Sequence, residues 1–204
     1  MLAGFLHVAA AEKTNERVAA RDAELVWTGP DEGNPRARRT FPVVNELLEF
    51  ASRQVTIVGY SLFLSGSSAK ALLARLGTLS SEGVNVEFIV DRNYAGYHGS
   101  NGAGHSVREI HEHWPANHRR PVVRSWTSPD GDGSKLHAKV MIVDRQELLV
   151  TSANLTGAGL ATNLEIGLRV RGRAAAECAD HFAGLTRAGF FATEPWPDAG
   201  GQLR

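Results

Sequence analysis

Between Lys135 and Arg171 three β-prone runs, KLHAKVMIVD, ELLVTSA and LEIGLRVR, follow one another with little chain between them. The first two are separated only by Arg145 and Gln146, which reads as a tight turn. Upstream, β-branched apolar runs alternate with helical ones. Strands alternating with helices, then standing nearly adjacent, imply an α/β fold, a mixed β-sheet with helices on both faces.

The upstream runs can be placed individually. Residues 5–23 read as an alanine-rich helix, and ELVWT at 24–28 as a strand that stops at Gly29-Pro30. Residues 31–40 read as a polar loop. A helix is expected from Pro42, a residue suited to a first turn, to Arg53. QVTIVGYSLF at 54–63 has the character of a buried central strand. Ser67 or Ser68 caps a helix over AKALLARLGTLS, VNVEFIV forms a strand ending at Asp91, and a glycine-rich loop follows. SVREIHEHW is a short helix stopped by Pro115, PVVRSW a strand, and TSPDGDGS a loop. Residues 154–163 read as a loop, AAAECADHFAGLTRAGF as a helix, and the tail from Glu194 as loosely ordered. The 204 residues fit one domain, 1–204, with 1–40 as a candidate N-terminal extension. No internal repeat is visible.

Composition excludes several classes. A hydrophobic fraction of 43% and a charged fraction of 22% are those of a globular protein with a core of its own. Cys178 is the single cysteine and cannot form an internal bridge, which fits a reducing compartment. It sits among alanines and reads as a small core filler. No apolar run approaches the roughly 20 residues of a membrane span, and MLAGFLHVAA lacks the basic start of a secretory signal. A cytoplasmic protein without membrane attachment is expected. The formal net charge is zero, so nucleic-acid binding would need a local basic groove. Arg36, Arg38 and Arg39 form one arginine cluster, and Arg119, Arg120 and Arg124 another. Each reads equally well as scattered solvated side chains.

The chemistry concentrates in the last third. On an extended strand His137 and Lys139 point to one side, while Leu136, Ala138, Val140 and Ile142 point to the core. Asp144 follows Lys139 by five positions, and Thr151 opens T-S-A-N, in which Ser152 and Asn154 again share a face. Asn163 and Glu165 repeat that spacing on the next strand. A histidine or a lysine alone on a strand is ordinarily a hydrogen-bonded or solvated residue. His137, Lys139, Asp144, Ser152, Asn154 and Glu165 together, at fixed offsets, are specific where each alone is not. His105, His111, His113 and His118, near Glu109 and Glu112, form a rival cluster. At positions i and i+2 of a helix, His111 and His113 face different sides, which suits joint metal ligation poorly. No metal and no cofactor are expected.

LHAKVMIVD, TSANLTGAG and NLEIG resemble the H-x-K-x4-D-x6-G-S-x-N motif of the phospholipase D superfamily, with its downstream glutamate. The departure is Thr151, where glycine is usual, and it bears on local packing rather than chemistry. A narrower resemblance is carried by VWTGP, TIVGY, HWP, LHAK and TSANLTG. It is to the phospholipase D-like proteins of DISARM anti-phage defence systems.

The resemblance implies a phospholipase D-like domain in which His137 attacks phosphorus to form a phosphohistidine. A second histidine serves the leaving group. Lys139 and Asn154 would face the phosphoryl oxygens, Ser152 would hold the loop and phosphate, and Glu165 would accept from the other imidazole nitrogen. Asp144, part of the motif, is expected to brace the strand pair. One motif without a repeat implies that two chains complete the site as a homodimer. The motif itself fits three readings, and the short single-motif chain, its arginines and the narrower resemblance favour the first. The first is a metal-independent nuclease acting on nucleic acid, most readily DNA, with Trp126 and the arginines as contacts and other defence proteins as partners. The others are a phospholipid phosphodiesterase with the same site and a catalytically silent DNA-binding subunit.

Overall fold

The computed structural model describes residues 23–30, 36–94, 104–128 and 133–197. Its strands are β1 (Ala23–Thr28), β2 (Arg38–Arg39), β3 (Gln54–Gly59), β4 (Leu62–Phe63), β5 (Asn85–Asp91), β6 (Val122–Trp126), β7 (Val140–Val143), β8 (Glu147–Thr151), β9 (Leu155–Thr156), β10 (Glu165–Arg171) and β11 (Ala192–Thr193). The helices are α1 (Thr40–Glu49), α2 (Ser67–Ser81), α3 (His105–His113), α4 (Gly157–Ala161) and α5 (Arg173–Arg187). Nine strands form one sheet in the order β11-β6-β5-β3-β7-β8-β10-β1-β2, and β4 pairs with β9 in a separate ladder. β3, β5 and β6 run parallel, as strands linked through helices must, whereas β3–β7, β7–β8 and β8–β10 are antiparallel.

The mixed sheet carries helices on both faces. One face buries Ile57, Phe88, Met141 and Leu149 against the apolar stripes of α1 (Val43, Val44, Leu47, Leu48) and α2 (Leu72, Leu73, Leu76) and against Ile110 of α3. Each such leucine contributes about 1.5–3 kcal/mol by leaving water. The other face packs Val58, Ile89, Ile142 and Leu148 against Ala175 and Phe182 of α5. Leu136, Ala138, Val140 and the half-buried Cys178 join this second core, as the strand alternation requires. Trp126 packs there too.

Several boundaries differ from the sequence reading, each for a physical reason. α1 begins at Thr40 and stops at Glu49 rather than Arg53. The amides of Ser52, Arg53 and Gln54 donate instead to the Asp144 carboxylate, at 2.8, 2.8 and 2.7 Å. The 54–63 run is two strands, because Leu62 and Phe63 leave the sheet to pair with Leu155 and Thr156. The expected loop 154–163 therefore holds β9 and α4, and the Thr156 hydroxyl caps α4 by accepting from the Gly159 amide at 2.9 Å. The hairpin turns on Asp144 and Arg145, both with positive φ (52° and 62°), and Gln146 N donates to Val143 O at 2.9 Å. Regular pairing of the first motif strand starts at Val140, so residues 135–139 form an approach to β7. β11 joins the sheet edge just before the tail, and the start of the tail is not loose: it seats Trp196, whose Nε1 donates to Pro121 O at 3.1 Å. Within the candidate extension 1–40, β1 and β2 belong to the sheet. The helix expected over 5–23 and most of the glycine-rich loop fall outside the described residues, apart from Ala23, which opens β1.

Away from the motif, three arginines and three glutamates alternate around the β8–β10–β1 corner. Arg169, 1% exposed, bonds Glu46 and Glu147 at 2.8 Å each; Arg38 bridges Glu24 and Glu46, and Arg171 bridges Glu24 and Glu147. Arg38 and then Arg169 hold the Glu46 carboxyl down to about 2. Burial would raise the Asp144 carboxyl, but the bonds from Gln54, Ser52 and Arg53 outweigh it and hold it below its ordinary value. Both groups have folded values below their unfolded ones. Their stabilisation is thus fully present above the ordinary carboxyl range and is lost as pH falls through it towards 2. Urea midpoints measured from pH 7 down to pH 3 are expected to fall steadily below about pH 4.5. A midpoint flat to pH 3 would contradict this.

Candidate active site

The polar residues of the motif gather where β7, β8 and β10 reach the same end of the sheet. His137 is exposed, on the extended approach to β7. Lys139, 9% exposed, sits on the same side, with Nζ 3.2 Å from His137 Nδ1 and donating to the His137 carbonyl at 2.8 Å. Burial pushes the Lys139 ammonium below the usual lysine value, and the Glu165 carboxylate opposes that shift. Ser152 donates to Glu165 Oε2 at 2.5 Å and accepts from the Ile166 amide at 3.1 Å. Asn163 Nδ2 donates to Glu165 Oε1 at 3.1 Å. Asn154 turns towards an open cleft, and its buried side-chain Oδ1 has no hydrogen-bond partner.

One motif residue departs from its expected contact, and another keeps to its bracing role. Glu165 gives its oxygens to Ser152 and Asn163, not to the imidazole of His137. Asp144 lies at the opposite end of β7 and braces the turn, accepting also from the Ser52 hydroxyl at 2.7 Å. Thr151, in the usual place of glycine, faces Gly167 across the β8–β10 ladder. A Cβ on Gly167 would stand 2.9 Å from the Thr151 Cβ and 2.7 Å from Val150 O, so the missing side chain on β10 makes room for the extra one on β8.

Sequence reasoning missed the residues that hold the histidine. Asp91, fully buried at the end of β5, accepts from the Leu136 amide at 2.7 Å and so fixes the approach to His137. A carboxylate closing a buried apolar strand was the available signal. The Tyr60 ring lies 4.8 Å from the His137 ring, with Lys139 and Lys135 over it at 5.5 and 5.7 Å. Tyr60 ends the central strand run and was read as core.

The rival features disperse. His105 stacks on Phe63, His111 on Trp196, His113 Nδ1 lies 3.1 Å from the Glu109 carbonyl, and His118 pairs with Ser81. Among the described residues, Glu109, Glu112 and His113 are the group whose ligand atoms lie close enough for one ion. Glu109 already accepts from the Leu64 amide at 2.6 Å. Arginines of both clusters are engaged within the chain. Arg38 is in the ion-pair corner, Arg119 bonds Ser80, Val84 O and Asn85, Arg120 stacks on Trp196, and Arg124 bonds Glu87 and Thr193. Among the described residues no helix is long and apolar enough to cross a membrane.

A mixed sheet whose middle strands bring histidine and lysine together at one end is the architecture of phospholipase D-like domains, and the chain belongs to that family. Residues 44–186 match the family described as cardiolipin synthase, PLD-like domain. The chain is also 31% identical over 150 residues to the DISARM protein DrmC of Bacillus paralicheniformis, across 73% of this chain and 57% of the relative. It thus spans little more than half that relative's length. Among solved structures it is similar to Nuc, a phospholipase D family member from Salmonella typhimurium (TM-score 0.57, 19% identity, 84% of this chain and 97% of that one). NucT from Helicobacter pylori gives a TM-score of 0.58 at 16% identity, over 84% of this chain and 98% of that one. At these identities the solved structures speak for the fold.

Proposed function

We propose that the chain is a metal-independent nuclease of the cytoplasm that acts in anti-phage defence and cuts phosphodiester bonds through a phosphohistidine on His137. The observation that carries this reading is the exposed imidazole of His137 beside the buried ammonium of Lys139, at the mouth of a cleft with Asn154 on its wall. An imidazole nitrogen attacks phosphorus as the P–O bond to the leaving group breaks. A proton from the partner subunit's His137 neutralises the departing oxygen. Water, deprotonated by that same second ring, then breaks the P–N bond and releases the phosphate monoester. Lys139 turns from His137 to the phosphoryl oxygens, which also frees Nδ1, and Asn154 adds a hydrogen bond to them. Both act where charge develops. Resemblance to a DISARM protein supports nucleic acid as substrate.

The reading needs a second copy, and the sheet offers a face for it. Leu164, Ile166 and Leu168 are 71%, 56% and 48% exposed, with Val150 beside Leu168 at 45%. They continue the α5 face of the sheet beyond that helix, at the end where Ser152 and Glu165 sit. Apolar exposure next to an incomplete site favours a twofold contact. Sedimentation equilibrium is expected to give a dimer for the natural chain and a monomer for Ile166→Lys/Leu168→Lys. In excess EDTA, cleavage of DNA or RNA is expected from the dimer and not from the variant. Strand cleavage by a monomer, or cleavage abolished by EDTA, would overturn the scheme. Headgroup release from phospholipid vesicles without strand cleavage would favour the lipid reading.

A further inference from the structure

Beyond the phosphate position lies a cleft of about 770 Å³ whose walls have a chemistry of their own. One wall is aromatic. Tyr60 meets Tyr94 edge-on at 4.9 Å, and Tyr94 meets Phe63 at 6.2 Å with the rings nearly perpendicular. The same lining carries amides and a hydroxyl, from Asn154, Asn163 and Thr156. None of the described residues lining the cleft bears a formal charge.

We propose that this cleft is a subsite for one unstacked nucleobase beside the scissile phosphate, so that the chain works on single-stranded nucleic acid. The proposal rests on the nuclease reading above and deepens it. A neutral lining does not suit a second phosphate, which calls for cations. An acyl chain would be better served by a wholly apolar lining. A base presents a flat π-face and a rim of donors and acceptors, and aromatic rings with amides in one lining match both. The volume is in the range of small-ligand sites, roughly 300–1,000 Å³. Tyr60 stands between the two positions, with Lys135 and Lys139 over its ring on the phosphate side of the site and Tyr94 against its edge. A base in a duplex is stacked and paired within it, so only an unpaired or extruded base reaches such a wall.

The wall is built rather than incidental. The Ser106 hydroxyl of α3 accepts from the Leu62 amide at 3.3 Å and lies 3.4 Å from the Tyr60 carbonyl, while Glu109 holds the Leu64 amide. The β4–β9 ladder ties the aromatic segment to the segment carrying Asn154 and Thr156. Trp126, the aromatic first expected to stack a base, is occupied in the second core.

The test compares strands in EDTA: a single-stranded oligothymidylate, the same strand with one abasic residue next to the cleaved bond, and a duplex. Stacking of one base has a typical effect of about 5- to 150-fold. The natural chain is expected to cut the intact single strand at least about tenfold faster than the abasic strand or the duplex. Tyr94→Ala should lose a similar factor on the intact strand and nothing further on the abasic one, whereas Tyr94→Phe, which keeps the ring, should restore the preference. Equal cutting of intact and abasic strands, or an equal loss on both in Tyr94→Ala, overturns the subsite and leaves the nuclease reading standing. Cutting of no strand overturns both.

Discussion

Replacing His137 by asparagine is expected to lower strand cleavage by at least about 10⁴-fold, the scale seen when a covalent nucleophile is removed. The amide of asparagine cannot form the phosphoryl-enzyme bond, and none of the described residues lining the cleft is a histidine. The fold should not notice. His137 is exposed, its backbone sits outside the regular part of β7, and its approach is fixed by Asp91 through the Leu136 amide. Single-turnover cleavage in EDTA, read beside the thermal midpoint, separates these outcomes. A variant that melts as the natural chain does and still cuts would remove His137 from the chemistry. Acid-labile, alkali-stable phosphate trapped on the natural chain and missing from the variant would identify the intermediate.

The largest stability effect is expected at Arg169. Its guanidinium is 1% exposed and bonds carboxylates from α1 and β8. Arg169→Ala leaves those carboxylates short of a partner in a water-poor corner, and breaking a buried pair from one side typically costs about 3–5 kcal/mol. Glu46 keeps Arg38 and Glu147 keeps Arg171, which places the loss near the lower end of that range. For a chain of this size it corresponds to a melting temperature lower by roughly 10 °C. Calorimetry checks it, and a drop of no more than 2 °C would mean that the corner is better hydrated than its burial indicates. Arg171→Ala, at a position 39% exposed, should cost much less.

How much of this was legible in the sequence depends on how local the cause was. Strand alternation placed His137 and Lys139 on one side and Leu136, Ala138 and Val140 in the core, because a period of two is fixed by the backbone alone. The bracing role of Asp144 was legible as a role, but not its partners, since the amides of Ser52, Arg53 and Gln54 lie some 90 positions away. The same distance hid the end of α1, which stops where those amides find a better acceptor. Arg38 and Arg124 looked like phosphate contacts because the sequence shows neighbours of like charge. The glutamates that claim them come from other elements. The aromatic wall escaped for a related reason: Tyr60, Phe63 and Tyr94 lie on separate segments and meet through the departure of Leu62 and Phe63 from the main sheet.

Thr151 and Gly167 share one packet of space between neighbouring strands. The threonine that breaks the usual motif is therefore half of a pair, and its counterpart lies outside the motif as ordinarily written. The Val150 carbonyl, 2.7 Å from where a Cβ at 167 would stand, closes the same space from the backbone, so glycine is needed at 167 whichever residue stands at 151. The tolerance runs one way: a glycine that the neighbouring backbone already demands leaves room for the threonine, and a motif scored one column at a time counts as a defect what the next strand has space for.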